Sequence, residues 1–283
     1  MFSATHSPSM LQTTAKIVSG LLGRESWMVR STRPAYESML DLIYKRNGMP
    51  WLINGVEYRI SPHQRHRLGT EYDSSVAGFF RAHLRSGQTC FDIGANVGVY
   101  VMQFANWVHP SGRVVAFEPN PETRKVLESH IQMNGISDQV TIVPCAVGKT
   151  AGTATLYAAG VDGMSRLNAP NSAIADKVHP VNVSVISVDD YIRQSSVTPD
   201  VLMVDIEGFE IAAIAGAKQL LREKRDLLIV VEMHPSVWSS ADTTRGAAED
   251  LLEELQLTPI PLQGQLDPLG DHAIVHLQQR ERI

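Results

Sequence analysis

The fold is decided by the run Phe91-Asp92-Ile93-Gly94-Ala95-Asn96-Val97-Gly98, in which an apolar strand leads into a turn bounded by two glycines. Residues Thr89–Ile93 are predicted to form a buried strand, and a helix is predicted to follow through about Val108. Glycine lets the backbone turn tightly and approach a ligand closely. A strand, a glycine turn and a helix in this order are typical of a parallel sheet, which binds ligands beyond the carboxyl ends of its strands.

Strands and helices alternate from Ser74 to the C-terminus, which predicts an α/β fold with helices on both faces of a mostly parallel sheet. The two late strands lie close in sequence and can pair antiparallel at one edge. The further predicted strands are Arg113–Glu118, Val140–Val147, Val201–Asp205, Leu227–Glu232, Thr258–Leu262 and His272–Leu277. The predicted helices are Val76–Leu84, Pro121–Asn134, Phe209–Glu223 and Gly246–Leu255.

The chain divides into an N-terminal cap or lid extension, residues 1–70, and a main domain, residues 71–283. Residues 148–200 interrupt the alternation with several glycines and alternating valines, so they are interpreted as an inserted β-hairpin. The predicted elements of the extension are a weak helix Leu11–Leu22, a helix Arg33–Tyr44 and a hairpin that turns at Asn54-Gly55.

The composition narrows the classes of protein. The 283 residues include 25 Lys and Arg against 30 Asp and Glu, and the net charge of −5 argues against a nucleic-acid partner. No apolar run approaches the ~20 residues of a membrane-spanning helix, and no secretory signal is visible, so the cytoplasm is the expected compartment. The two cysteines, Cys90 and Cys145, are interpreted as reduced core thiols. The oligomeric state cannot be inferred from the sequence.

The spacing of the glycines bears on the class of ligand. A dinucleotide-binding turn would need glycines at positions 94, 96 and 99, whereas this chain has Gly94, Asn96 and Val99, with Gly98 as its second glycine. An NAD-dependent oxidoreductase is therefore disfavoured. The alternative that Gly94 and Gly98 are only turn residues stays open for each taken singly.

Two carboxylates end adjacent predicted strands. Glu118 ends the second strand, where an acidic residue accepts hydrogen bonds from the two ribose hydroxyls of a nucleoside. Asp92 lies at the end of the first strand, beside the same crevice. Two carboxylates without a phosphate cradle suit a cationic nucleoside, such as S-adenosylmethionine, better than NAD. Glu118 can also be an ordinary solvated strand end.

Five runs in order resemble the FkbM-type family of S-adenosylmethionine-dependent methyltransferases over about residues 70–280: FDIGANVGVY, VVAFEPNPE, VPCAVG, VLMVDIEGFE and VVEMHP. The resemblance implies a class I Rossmann-like methyltransferase sheet of seven strands, the last one antiparallel, and methyl transfer to a hydroxyl of a small molecule or sugar. It also implies where the parts of S-adenosylmethionine bind: Glu118 binds the ribose, and Ala146 and Asn120 lie near the adenine. The residues implied around the methionine moiety are Asp92, Gly94, Asn96 and Gly98, and Asp205 is a further predicted cofactor-binding residue.

A candidate catalytic cluster follows the fourth and fifth strands. Asp205 and Glu207 are two residues apart, as are Glu232 and His234, so each pair shares a face of its strand. If the strands are neighbours, the four side chains converge and His234 can act as general base. Alternatively, Asp205, Glu232 and His234 bind Mg²⁺ or Mn²⁺. The metal-free base is favoured, and Glu210 is interpreted as a helix-start carboxylate.

Weaker features surround this cluster. Tyr72 can cover the methionine end, and Ser165 and Arg166 of the insert can line an acceptor pocket. A nucleoside-binding module without turnover is the second functional class that the sequence allows. A local basic patch can seat an anionic acceptor but is interpreted first as a solvated surface. Its members are Arg59, His63, Arg65, His66 and Arg67.

Overall fold

The computed structural model describes residues 27–45, 47–160, 165–168, 176 and 178–280, and the predicted helix Leu11–Leu22 lies outside them. None of the described helices has the length and apolar character needed to cross a bilayer. The strands are β1 (Met49–Ile53), β2 (Val56–Ile60), β3 (Thr89–Ile93), β4 (Arg113–Phe117), β5 (Val140–Val143), β6 (Cys145–Val147), β7 (Gly152–Ala158), β8 (Arg166–Leu167), β9 (His179–Ile186), β10 (Val201–Val204), β11 (Leu228–Met233), β12 (Leu257–Pro261) and β13 (Ala273–Gln279). The α-helices are α1 (Trp27–Tyr44), α2 (Ser74–His83), α3 (Val99–Val108), α4 (Pro121–Met133), α5 (Val188–Ser195), α6 (Glu210–Ala215), α7 (Lys218–Glu223) and α8 (Arg245–Glu254). Short 3₁₀ helices span Pro62–His66 and Pro235–Ala241.

The central sheet has seven strands in the order β12-β13-β11-β10-β3-β4-β5. All strands run parallel except β13, which pairs antiparallel with both β11 and β12. This confirms the predicted α/β class, the seven-stranded sheet with an antiparallel last strand, and the pairing of the two late strands. Ile93 lies beside Phe117 on one side and Val204 on the other, so the strand ends that carry the candidate residues meet at one edge.

Helices cover both faces of this sheet because its middle strands are apolar on both sides. Phe91 and Ile93 of β3 pack in one buried cluster, together with Ile211 of α6. The alternate residue Cys90 packs in a second cluster, together with Phe104 of α3. Each fully buried large apolar side chain contributes about 1.5–3 kcal/mol through removal from water. The sheet is thus a rigid platform on which the strand-end loops are fixed.

The predicted third strand Val140–Val147 is wrong in its continuity. The ladder breaks at Pro144, which lacks a backbone N–H and cannot donate to a neighbouring strand. Residues before the proline form β5 beside β4. Residues after it form β6, which pairs with β9 in a separate four-stranded sheet of order β6-β9-β7-β8. The break places Ala146 beyond the end of β4 rather than along its edge.

The inserted segment contains the predicted hairpin, because β7 and β9 pair antiparallel along their length. It also contains α5, whose N-cap Ser187 accepts a hydrogen bond from the backbone of Asp190, so the segment is not β-structure alone. The hairpin of the extension is confirmed as well. Asn54 and Gly55 have φ values of 48° and 82°, as a tight type I′ turn requires. The division at residue 70 stays a prediction.

The predicted single helix Phe209–Glu223 is two helices, α6 and α7, separated at Gly216-Ala217. The backbone of Gly216 lies against the carbonyl of Gly148, so a Cβ at this position would be 2.2 Å from that oxygen. Close contact with the start of the insert therefore interrupts the helix. This contact also holds the start of the insert against the junction of α6 and α7.

Gly216→Ala is expected to lower the free energy of unfolding by about 1–3 kcal/mol, because the new methyl group has no room beside the Gly148 carbonyl. Gly246→Ala in α8 is the matched control, since nothing lies within 4 Å of a Cβ there. The control is expected to leave stability unchanged or raise it by up to about 1 kcal/mol. Urea-induced unfolding measures both variants, and equal effects would contradict the role given to Gly216.

Candidate functional site

The loops after β3 and β10 cross in direct contact at the carboxyl edge of the sheet. Gly94 has a φ of 88°, and a Cβ on it would lie 1.8 Å from the carbonyl oxygen of Asp205. Its backbone N–H donates to the carbonyl of Phe117 at the end of β4, over 3.0 Å. Only glycine fits this crossing, since both the left-handed φ and the space exclude a side chain. The crossing brings the ends of β3, β4 and β10 together.

Two adjoining cavities open at this edge and share Gly94, Asn96 and Asp205 as lining residues. The first, here called the insert-side cavity, lies between the end of β4 and the insert. The second, the extension-side cavity, lies between β3, α3 and the extension. The insert-side cavity is further lined by Glu118, Pro119, Cys145, Ala146, Leu156, Ser165, Leu167 and Glu207. The extension-side cavity is further lined by Gln64, Arg67, Leu68, Tyr72, Asp92 and Tyr100.

Asp92 and Glu118 are buried carboxylates at adjacent strand ends. Burial raises the pKa of Asp92 to about 7, with a further contribution from the charge of Glu118. Burial likewise raises the pKa of Glu118 to about 7, although the backbone N–H groups of Asn120 and Asn96 donate to it. Each carboxyl is therefore close to half ionised at neutral pH. A cation or a hydroxyl donor placed beside them would favour their charged forms.

Three buried oxygen acceptors belong to residues that line the extension-side cavity. They are Gln64 Oε1, Asp92 Oδ2 and Asn96 Oδ1, and none has a hydrogen-bond partner within the described part of the chain. A buried acceptor without a partner costs about 1–3 kcal/mol. Three such acceptors in one cavity indicate a ligand that brings several N–H donors. Gln64 comes from the extension, and no motif in the sequence indicated its role.

Asp205 lies where the two cavities meet. Burial raises its pKa well above the usual range, the charge of Glu232 adds to the increase, and His234 opposes it. Glu207, two residues on, has a φ of 53°. Its Oε2 accepts a hydrogen bond from Arg166 Nη2 of the insert over 3.2 Å. Glu207, Glu232 and His234 are thus close enough to Asp205 for their charges to act on its carboxyl group, as the predicted convergence of the four side chains requires.

Glu210 is the partner that orients His234. Its side chain is fully buried, and its Oε1 lies 2.7 Å from His234 Nδ1. The backbone of Gly208 donates to Oε1 over 2.6 Å, and Trp238 Nε1 donates to Oε2 over 3.0 Å. Because a carboxylate can only accept, Nδ1 carries the proton and Nε2 faces away from Glu210. The interpretation of Glu210 as a helix-start carboxylate alone was therefore incomplete.

The pKa of His234 is set by opposing effects. Burial lowers it, but the hydrogen bond and charge of Glu210, with the charges of Asp205 and Glu207, raise the pKa to about 9. The folded pKa exceeds the ordinary value of 6.5. The stabilisation from this pairing is thus fully present below about pH 6.5 and is lost as the pH rises through about 9.

Glu232 lies between two imidazoles. Its Oε1 is 2.7 Å from His272 Nε2 and 3.6 Å from His234 Nε2. The three donor atoms of this group lie within 4.8 Å of one another. The metal set considered from the sequence was Asp205, Glu232 and His234, whereas the structure groups Glu232 and His234 with His272. The antiparallel pairing of β13 with β11, which sets Ala273 opposite Met233, was the signal that could have identified His272.

Two residues that the sequence predicts to bind the cofactor have structural roles in the fold. Asn120 Oδ1 accepts from the backbone of Glu122 and so caps α4, while its Nδ2 donates to the carbonyl of Gly160. Gly98, with a φ of 89°, precedes α3, and a Cβ there would be 2.5 Å from Leu127 Cδ1. Neither residue is among those lining the two cavities. Their predicted contacts with a ligand stay predictions.

The basic patch is partly neutralised by α1 rather than solvated throughout. Arg65 forms a salt bridge with Glu37 and is mostly buried. His63 Nε2 lies 2.9 Å from Asp41 Oδ2. Arg67 lines the extension-side cavity. The patch therefore anchors α1 and contributes one cation to the site.

The Nε2 atom of His234 is expected to lose its proton with a pKa of about 9 when its ring signals are followed by NMR against pH. Glu210→Gln is expected to lower that pKa, because it removes the negative charge that stabilises the protonated ring against the effect of burial. Glu223→Gln, an exposed change on α7, is the control and should leave the titration unaltered. A wild-type pKa near 6.5, or no shift in Glu210→Gln with folding verified by circular dichroism, would contradict the pairing.

Comparison with known proteins identifies a methyltransferase family. The family model for the methyltransferase FkbM domain matches residues 92–256. The 31-O-demethyl-FK506 methyltransferase FkbM of Streptomyces tacrolimicus is 26% identical over 162 residues, 48% of this chain and 61% of that protein. The hexuronic acid methyltransferase AglP of Haloferax volcanii is 25% identical over 176 residues, 59% of this chain and 62% of that protein.

A solved structure also matches this chain over most of its length. The crystal structure of methyltransferase FkbM from Methylobacillus flagellatus KT superposes with a TM-score of 0.47 and 12% identity, over 94% of this chain and 58% of that chain. The chain spans less than two thirds of the length of each of these three proteins.

Proposed function

The chain belongs to the FkbM methyltransferase family, and we propose that it transfers a methyl group from S-adenosylmethionine to a hydroxyl oxygen of a small molecule or a sugar. The observation that carries the proposal is the junction at Asp205. Two cavities that contain buried carboxylates and unpaired acceptors meet there. His234 is held by Glu210 and is close enough to Asp205 for the charge of Asp205 to act on its ring. The first cavity suits a nucleoside, and the second suits an amino-acid moiety.

The insert-side cavity offers a seat for adenosine. Glu118 is placed to accept hydrogen bonds from the two ribose hydroxyls, which would also favour its ionised form. Ala146, with Leu156 and Leu167 of the insert, supplies apolar surface for the adenine ring. Asn120 supports this seat indirectly, because its backbone N–H donates to Glu118 Oε1 over 2.8 Å.

The extension-side cavity offers a seat for the methionine moiety. An α-ammonium group has three N–H donors, which matches the unpaired oxygens of Gln64, Asp92 and Asn96. Arg67 lines the same cavity and supplies a cation for the α-carboxylate. Asp205, at the junction, is placed to lie beside the sulfonium. Asp92 and Asp205, two carboxylates with raised pKa values, thereby gain a cationic partner.

S-adenosylmethionine supplies an activated methyl group, and its transfer to an alcohol yields S-adenosylhomocysteine and one proton. His234 takes that proton from the acceptor hydroxyl at Nε2. Glu210 holds the ring through Nδ1 and stabilises the imidazolium that forms, as a buried carboxylate does for a catalytic histidine. Much of the remaining rate comes from the rigid strand ends, which align the reacting groups.

The charge of the cofactor adjusts the base. A histidine with a pKa of about 9 is mostly protonated at neutral pH and cannot accept a proton. The charges of Asp205 and Glu207 contribute to that raised pKa. A bound sulfonium beside Asp205 offsets them and lowers the pKa of His234 toward neutrality. Binding of the methyl donor would thus prepare the base for the next step.

The acceptor class is supported by the insert and by the relatives. Arg166 pairs with Glu207, a lining residue, and its buried Nε has no partner within the described residues. It can therefore bind an anionic or hydroxyl-rich acceptor. The names of two relatives describe methyl transfer to a hexuronic acid and to the demethylated 31-oxygen of FK506. Cytoplasmic location and the absence of a nucleic-acid partner stay predictions.

A nucleoside-binding module without turnover is the competing function. It leaves the buried hydrogen bond between Glu210 and His234 without a role. An NAD-dependent oxidoreductase would need a glycine turn that binds phosphate. In this chain the backbone of Gly94 packs against the Asp205 carbonyl instead. Methyl transfer is the function that uses all of these features.

His234→Ala is expected to lower kcat for methyl transfer by about 10²- to 10⁴-fold, because the general base is lost. Its affinity for S-adenosylmethionine, measured by calorimetry, should be retained or increase, because the variant removes a protonated imidazole that opposes binding of the sulfonium. Transfer is measured with a labelled methyl donor across a panel of sugars, sugar acids and small alcohols.

Gly94→Ala is the converse variant and is expected to abolish cofactor binding, because its Cβ would displace the Asp205 loop. Gly246→Ala is the control for both measurements. Binding of NAD instead of S-adenosylmethionine by the wild type would sink the methyltransferase proposal. Cofactor binding with no transfer to any acceptor would favour the module without turnover.

A further inference from the structure

Three side chains at the junction of β11 and β13 form a cluster that the proposed chemistry does not use as a whole. Glu232 and His234 come from the end of β11, and His272 precedes β13. We infer that these three residues form a binding site for a divalent transition-metal ion of the zinc type. The inference concerns binding alone and stands apart from the proposed methyl transfer.

The donor atoms are spaced closely enough to share an ion. Glu232 Oε1 is 2.7 Å from His272 Nε2 and 3.6 Å from His234 Nε2, and all three atoms lie within 4.8 Å of one another. Zinc bonds of about 2.0–2.2 Å to nitrogen and oxygen hold neighbouring ligand atoms about 3–3.5 Å apart. Small side-chain rotations therefore suffice to bring the three donors onto one ion.

The surroundings of His234 fit a metal ligand. Metal-binding histidines almost always donate their second ring N–H to a carboxylate or carbonyl. Here Nδ1 is held by the fully buried Glu210, which is itself fixed by Trp238 and the backbone of Gly208. Nε2 is thereby left toward Glu232. A fixed tautomer with Nε2 toward a second donor is an observation independent of the cluster's spacing.

The scaffold is rigid and the local charge favours a cation. The strands β11 and β13 are paired in the central sheet, with Met233 opposite Ala273. The charges of Asp205, Glu207 and Glu210 act on His234, and the Glu232 carboxylate lies beside both imidazoles, so acidic groups outnumber the histidines here. His272 is largely exposed, which leaves coordination positions for water or a ligand.

The donor set decides the class of ion. Two imidazole nitrogens and one carboxylate oxygen favour zinc, cobalt or nickel, whereas Mg²⁺ prefers oxygen ligands and keeps most of its waters. This differs from the Mg²⁺ or Mn²⁺ site considered from the sequence with Asp205. Occupancy by zinc would also use the Nε2 lone pair that His234 needs as a base. Metal binding and the proposed base role are thus mutually exclusive at any moment.

The test is a Co²⁺ titration of the full, untagged chain after treatment with EDTA, followed by the visible absorption of the ion. One Co²⁺ per chain is expected, with intense bands typical of a low-coordinate site, and Zn²⁺ should displace it. Mg²⁺ in large excess should not. His272→Gln is expected to weaken Zn²⁺ binding by at least about tenfold, and Glu210→Gln by about 10- to 100-fold.

His179→Gln is the matched control, because His179 is also an exposed histidine beside a glutamate, Glu122. It should bind Co²⁺ as the wild type does. His272→Gln removes an exposed side chain, so folding is expected to be intact. Unchanged Co²⁺ binding in His272→Gln, equal competition by Mg²⁺, or no Co²⁺ binding by the wild type would each overturn the inference. The titration does not involve methyl transfer, so its failure and that of the proposed function are distinguishable.

Discussion

The site depends on the burial of carboxylates at one edge of the central sheet. Asp92, Glu118 and Asp205 follow or end neighbouring strands, and burial raises the pKa of each. Parallel strands make this arrangement unavoidable, because their carboxyl ends all point to the same edge. Uncompensated charges there would be costly, so the edge calls for a ligand that brings positive charge and hydrogen-bond donors. The methyl donor proposed for this chain is such a ligand.

The segments outside the sheet act on this edge from two sides. The extension contributes Gln64 and Leu68 to one cavity, and its hairpin shares a buried cluster with the start of α3. The insert contributes Leu156 and Leu167 to the other cavity. Gly94 allows the loops after β3 and β10 to touch, which joins the two cavities. Sheet, extension and insert therefore form one site. The sequence predicted that Ser165 of the insert lines a pocket, but it did not indicate Gln64 of the extension or Leu156 and Leu167 of the insert.

The alternation of strands and helices in the sequence was enough to predict which residues lie at the ends of the strands. The bounds of β3 were predicted correctly, and the order of strands placed Asp92 beside Glu118 and Asp205 near His234. Contacts that depend on the path of loops were not predictable in this way. Glu210 looked like an ordinary helix-start carboxylate, because its hydrogen bond to His234 arises only when the loops after β10 and β11 meet. The break between β5 and β6 at Pro144 could have been predicted from the sequence, since proline has no N–H to donate to a neighbouring strand.

Proton release on binding of S-adenosylmethionine tests the central claim, that buried carboxylates with raised pKa values receive a cationic nucleoside. Calorimetry at about pH 6.5 in buffers of different ionisation enthalpy measures it, because an α-amino group is already protonated there. Asp92 and Glu118, whose pKa values are about 7, are then largely protonated before binding. A net release of protons is expected, and Asp92→Asn should reduce it. No release, or net uptake, would contradict the account.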